Sequence, residues 1–195
     1  MFVQVIEGRV TDADGLKRQL ERWIDELKPE AQGYLGSTSG LTGDRYIMCA
    51  RFESEESARS NSDNDRQSAW WAETEKCLDD VTFTDYTKAE DYLAGGSDDA
   101  GFVQIMRGRV TDAEKARAMM KQMEDQLPQV RPDVIGGYTA YSDDGDYTQL
   151  VYFTSEAEAR ENEAKSSPDE MREWMEIQAG DIRFIDLTEP MLDSK

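Results

Sequence analysis

The stretch FVQVIEGRVTDA, Phe2 to Ala13, returns later in the chain as FVQIMRGRVTDA, Phe102 to Ala113. Phe, Val, Gln, Gly, Arg, Val, Thr, Asp and Ala fall at identical places in both. Further on, RFESEESARSN (Arg51 to Asn61) matches YFTSEAEAREN (Tyr152 to Asn162), and VTFTDYT (Val81 to Thr87) matches IRFIDLT (Ile182 to Thr188). The offset moves from 100 to 101, so one residue was added in a turn. A period this long exceeds any solenoid unit and marks a duplicated domain.

Each copy reads in the same order. Phe2 to Val10 alternates as a strand, and Thr11 and Thr111 open T-x-x-D and T-x-x-E sequences that predict a capping box. Leu16, Leu20, Trp23 and Leu27 then form an apolar stripe at helical spacing, repeated as Ala116, Met120, Met123 and Leu127. Two hairpin strands follow. In the second copy they are Val134 to Tyr141 and Tyr147 to Phe153, around Asp144-Gly145; in the first they are Gln32 to Ser39 and Arg45 to Phe52. Ser54 and Ser155 cap a second helical region, interrupted near Asn61–Asp65 and Ser166–Pro168, and a last strand closes each copy.

The order is β-α-β-β-α-β, twice, which is the split βαβ arrangement. The expected fold is α+β, with two ferredoxin-like repeats at 1–88 and 102–195. The Gly-, Ser- and Asp-bearing stretch KAEDYLAGGSDDAG (Lys88 to Gly101) reads as the joining segment, with the linker placed at 89–101. Helices cover one face of a four-stranded sheet, yet both parities of the closing strands carry apolar residues. That predicts two covered faces. Two sheets packed face to face into one intramolecular barrel meet the requirement, and the fusion supplies each half at high effective concentration.

Composition bounds the function. The chain has 195 residues, 42 of them acidic and 22 basic, for a net charge of -20. A surface this negative repels phosphate backbones, so no nucleic-acid partner is expected. Mean hydropathy is -0.76 and no apolar run is long enough to span a bilayer, so no membrane partner is expected either. With no signal-like opening, a cytoplasmic location is the expectation. Cys49 and Cys77 both lie in the first copy, so the repeat needs no disulfide; each reads as a small buried apolar group. Histidine is absent. Its absence removes His-ligated haem, imidazole acid–base chemistry and the Ser-His and Cys-His nucleophile pairs, and no cofactor or metal is expected.

The strand FVQVIEGRV, the corner FESEESARSN, the helix segment SAWWAE and the closing VTFTDY resemble the dimeric α+β barrel superfamily, in its antibiotic-biosynthesis-monooxygenase-like branch. The resemblance covers nearly the whole chain, twice, and makes the chain look like such a dimer fused into one polypeptide. It implies a pocket between sheet and helices for a small hydrophobic or aromatic ligand. It also implies an oxygenase needing no cofactor and acting on a quinol-like compound. A non-catalytic interaction or stress protein is the alternative.

On that resemblance Asn61 and Asn162 donate an amide hydrogen bond to a substrate enolate; each equally suits the end of a helix. Trp70, Trp71 and Trp174 are either a stacking wall or core anchors, and a gapless alignment sets Met171 and Arg172 opposite the first two. Gln4 and Gln104 either line the pocket or bridge strands. Tyr34, Tyr138, Tyr46 and Tyr147 offer phenolic donors or strand packing. Arg9 and Arg109 are expected to pair with Asp85 or Asp186, and Arg59 and Arg160 to lie on a solvated helix face.

Overall fold

The structure, a computed structural model, describes residues 1–165 and 174–194. Two compact units emerge. The first holds Met1–Thr87 with Met191–Lys195, and the second holds Lys88–Pro190.

In the first unit, strands β1 (Phe2–Val10), β2 (Tyr34–Thr42), β3 (Arg45–Phe52), β4 (Leu78–Tyr86) and β10 (Met191–Ser194) form an antiparallel sheet in the order β10-β2-β3-β1-β4. Helices α1 (Ala13–Glu26), α2 (Glu55–Ser62) and α3 (Asp65–Thr74) accompany it. In the second, β5 (Lys88–Leu93), β6 (Phe102–Arg109), β7 (Val134–Tyr141), β8 (Asp146–Phe153) and β9 (Arg183–Leu187) follow the order β5-β7-β8-β6-β9. Helices α4 (Ala113–Glu124), α5 (Leu127–Val130) and α6 (Glu156–Glu163) belong to this unit. The expected β-α-β-β-α-β order is present twice, as an α+β fold.

The helix starts differ from the capping-box expectation by one residue. Asp12 and Asp112 are the caps, in extended backbone, and accept from Gly15 N at 2.8 Å and Lys115 N at 2.9 Å. A carboxylate one residue further on reaches the orphan N–H groups and suits the positive helix end. In the first unit a Cβ on Gly15 would meet both the Asp12 carboxylate and the Cys77 sulfur, whereas Lys115 makes the same bond with its side chain in place. Ser54 and Ser155 cap α2 and α6 as expected. The break at Asp63 and Asn64 separates α2 from α3; the counterpart at Ser166–Pro168 lies outside the described residues.

The joining segment differs more. Lys88–Leu93, read as the start of a linker, is strand β5, and it pairs with β7 of the second unit, Glu90 opposite Thr139 and Tyr92 opposite Gly137. The end of the chain does the reciprocal thing: β10 pairs with β2 of the first unit, Asp193 opposite Ser37. Each repeat therefore contributes its fifth strand to the other repeat's sheet. Charged, short edge strands are how sheets end without inviting further pairing, which is why KAEDYL resembles linker composition.

Local packing makes room for these strands. A Cβ on Gly137 would overlap the Tyr92 ring, so the glycine is what lets Tyr92 lie flat across β7, with its hydroxyl donating to Leu150 O at 3.0 Å. In the first unit the Tyr34 hydroxyl donates to Asp193 Oδ2 at 2.9 Å, and Lys28 Nζ donates to Asp193 Oδ1 at 2.5 Å. These bonds fasten β10 to β2 and to the end of α1.

Candidate functional site

In the first unit aromatic rings pack between helices and sheet. The Trp23 ring meets Tyr34 edge-on at 4.8 Å and Trp70 at 6.4 Å, and Tyr34 meets Phe52 at 5.6 Å. Trp70 is buried, its indole N–H donating to Gln19 O at 2.7 Å, and Trp71 packs on Phe83 at 5.2 Å. Trp23, Tyr34 and Trp70 belong to one core cluster, and Tyr46 to another. Asn61 borders a space of about 10 Å³, room for a single water, shared with Leu27, Glu30, Asn64, Arg66 and Gln67.

The two glutamines occupy equivalent bridging positions. Gln4 Nε2 donates to Asp85 Oδ1, and Gln104 Nε2 to Asp186 Oδ1, each at 2.9 Å across paired strands. Arg59 reaches Asp85 at 2.6 Å and stands over the Phe2 ring; Arg160 pairs with Asp186 and stands over Phe102. Arg9 and Arg109 instead bind Asp79 at 2.6 Å and Asp146 at 2.7 Å. The expected partners are thus exchanged. The helix arginines, not the strand-end ones, claim Asp85 and Asp186, because those aspartates lie on the same sheet side as the glutamines and face α2 and α6.

Asn162 Nδ2 donates to Asp133 Oδ1 at 2.9 Å. Asp133 is 3% exposed and also takes a two-pronged bond from Arg131 at 3.1 and 2.8 Å. This amide supports a buried ion pair. Trp174 packs edge-on against Tyr147 at 5.9 Å, and the Tyr147 hydroxyl meets Gln178 Oε1 at 3.2 Å. Tyr138 is buried with its ring near Tyr152, and its register with Asp91 and Leu150 sets it on the opposite sheet side from Gly137 and Thr139. Met171 and Arg172 lie outside the described residues.

The second unit contains a cleft of about 400 Å³ between α4 and the β5–β7 edge of the sheet. None of the nine pocket and catalytic residues expected from the sequence lines it. Tyr92, Thr139 and Tyr141 form its floor, with Met120, Arg117, Lys121 and Glu124 descending from α4 and Glu90 and Asp91 from β5. The Arg117 guanidinium sits 5.5 Å from the Tyr141 ring centroid and binds Glu114 at 2.6 Å, with Glu90 at 3.9 Å. Glu124 Oε1 accepts from Leu93 N at 2.9 Å. Burial pushes the Tyr141 phenol up to about 12, with the Arg117 charge pulling against it, so the hydroxyl is a proton donor at neutral pH. Burial likewise raises Tyr92.

The repeats differ at the cleft itself: Arg117, Lys121, Glu124 and Tyr141 line it where the first copy has Lys17, Glu21, Ile24 and Leu41. Away from the cleft, Trp23 of α1 corresponds to Met123 of α4, which is 42% exposed, and Tyr34 corresponds to Val134; neither Met123 nor Val134 lines it. Among the described residues no group of His, Cys, Asp and Glu is placed to hold a metal ion, and no helix is long and apolar enough to cross a membrane.

No family model and no curated protein matches the chain. Solved structures do. A candidate monooxygenase from Fusobacterium nucleatum superposes with TM-score 0.76 at 10% identity, over 100% of this chain and 94% of its own. A candidate monooxygenase from Lactobacillus acidophilus gives 0.73 at 10% identity, over 98% of both chains. An anthrone oxidase-like protein gives 0.64 at 12% identity, over 98% of this chain and 93% of its own. The chain therefore has the two-repeat, ferredoxin-like fold of the antibiotic-biosynthesis-monooxygenase-like proteins, along its whole length. At these identities the likeness is one of fold.

Proposed function

We propose that the protein binds one small aromatic compound, in the cleft of its second unit, and that the first unit is a packed half without a site. The observation that carries this reading is the cleft itself. Its volume of about 400 Å³ falls in the range of small-molecule sites, and it combines an apolar wall, Met120 and the Tyr92 ring, with a few polar groups. In the first unit Trp23, Tyr34 and Trp70 pack together in one core cluster between helices and sheet.

The reaction that fits such a ligand is oxygenation without metal or flavin. A carboxylate at the cleft, Glu90, takes a proton from an activated CH2. The carbanion then reacts directly with dioxygen, so that CH2 and O2 become C=O and H2O. The names of the fold neighbours support this choice by analogy of fold only.

The test is incubation with an anthrone-like quinol under oxygen, following oxygen uptake and product, beside ligand binding by fluorescence. Met120→Trp, which fills the cleft, is expected to abolish both, and Asn61→Ala to leave both unchanged. Binding without oxygen uptake removes the oxygenase and leaves a non-catalytic binder. Binding that survives Met120→Trp and fails with Asn61→Ala overturns the placement.

A further inference from the structure

The floor of the cleft carries two buried hydroxyls that are near one another and have no well-formed hydrogen bond to any third group. Tyr141 is 1% exposed and Thr139 4%, and neither the phenolic oxygen nor Oγ1 makes a geometrically sound hydrogen bond among the described residues. They stand two residues apart on β7, hence on one side of the sheet, the side that Glu90 and Lys88 share by register. The Thr139 hydroxyl and the Arg117 charge are both close enough to Tyr141 to act on its proton. Buried hydroxyls left unpaired are costly, and proteins keep few of them without a use.

The charged groups above this floor are not equivalent. Glu124 is spent on Leu93 N, and Arg117 lies between Glu114 and Glu90. Asp91 stands on the other register of β5, opposite Tyr138. Lys121, one helical turn beyond Arg117 on α4, lines the cleft and forms no ion pair among the described residues. The arrangement offers two inward hydroxyl donors at depth and one uncommitted ammonium at the mouth.

We infer that the ligand of this cleft is an aromatic carboxylate, its two oxygens accepting from the Tyr141 and Thr139 hydroxyls and its charge balanced by Lys121. This rests on the cleft being the ligand site. A carboxylate matches two adjacent donors with two acceptors, which an amine cannot do and a neutral amide does with one oxygen only. A charge-assisted bond is also about twice as strong as a neutral one. Lys121 acts at the entrance, where it offsets the acidic surface that would repel an anion.

Three naphthalenes of one shape separate the outcomes: 2-naphthoate, 2-naphthamide and 2-naphthylmethylammonium, titrated by their own fluorescence against the full chain. The expected result is that naphthoate binds about tenfold or more tighter than the amide, as one charge-assisted hydrogen bond implies. Tyr141→Phe, a near-isosteric change, and Lys121→Gln, on an exposed helix face, each weaken naphthoate about tenfold; Lys121→Gln leaves the amide nearly unmoved, and Tyr141→Phe weakens it less than it weakens naphthoate. Lys121→Gln also flattens the salt dependence of naphthoate binding. Equal binding of naphthoate and amide, tighter binding of the ammonium compound, or indifference to both substitutions overturns the carboxylate while the cleft stands. Failure of all three probes removes the cleft as a ligand site and the inference with it.

Discussion

The side-chain amide of Gln104 donates to Asp186 across the β6–β9 pair at 2.9 Å, and Gln4 makes the same bond to Asp85 at the equivalent place in the first unit. Each aspartate also holds an arginine from the following helix, Arg160 or Arg59. The ion pair is half-exposed and so contributes less than about 1 kcal/mol. The glutamine amide matters more, since Gln104 is 7% exposed and an orphaned buried amide costs about 1–3 kcal/mol. Asp186→Ala is therefore expected to destabilise the protein by about 1–3 kcal/mol in urea unfolding, and Arg160→Met by under about 1 kcal/mol. Equal losses from the two substitutions would assign the stability to the charge pair instead.

Trp23 and Met123 stand at equivalent helix positions with opposite fates. Trp23 is 7% exposed, packed against Tyr34 and Trp70, with its indole N–H on Gln67 Oε1 at 2.8 Å; Met123 is 42% exposed. Truncating a buried tryptophan costs about 3–5 kcal/mol, because the lost burial and the cavity left behind add together. Trp23→Ala is expected in that range, and Met123→Ala within about 0.5 kcal/mol of the parent. Thermal or urea midpoints read the difference directly. A loss at Met123 comparable with that at Trp23 would mean that the second unit is as tightly filled as the first.

Stability should be flat across neutral pH, because the chain has no histidine. At the alkaline end, burial raises the phenols of Tyr141 and Tyr147 to about 12, and raises Tyr34 and Tyr92 as well. A phenol whose folded value lies above its unfolded value of about 10 stabilises the fold fully below about pH 10. That contribution is lost as pH climbs through the folded value. At the acid end, the hydrogen bonds from Arg109 and Lys88 hold Asp146 and Asp143 below the usual carboxylate range. Their contribution is present above about pH 4 and lost as pH falls below it. Urea midpoints should thus form a plateau from about pH 5 to 9, with phenolate absorbance rising together with unfolding above about pH 10. A sloping midpoint between about pH 6 and 8, or phenolate appearing in the folded state near its ordinary value, would contradict this expectation.

Much of the fold was legible because it is written locally. Strand alternation over Phe2–Val10, the stripe Leu16, Leu20, Trp23 and Leu27, the Asp144-Gly145 turn, with Gly145 at φ +85°, and the Ser54 and Ser155 caps all act within a few residues. The cap at Asp12 rather than Thr11 shows the limit of local patterns, since either side chain suits the position and the backbone turn decides. The candidate site was not legible in the same way. Residue type alone points to Asn61, Trp70 and Gln4; the structure engages Trp70 in packing and Gln4 in bridging, and leaves Asn61 beside a space of about 10 Å³. Arg117, Thr139 and Tyr141 come together only through the pairing of β5 with β7 and the packing of α4 over them.

By itself the sequence determined that this chain is an α+β fold made twice, with the same elements in the same order and no histidine chemistry. Periodicity and capping act between near neighbours, and the duplication lets each copy check the other. Only the tertiary structure decided that Lys88–Leu93 completes the second sheet and Met191–Ser194 the first. Only it placed the cleft beside α4. Strand pairing at an edge depends on which open edge lies within reach. A cavity is the remainder left after distant side chains have packed, so neither is encoded in any short stretch of residues.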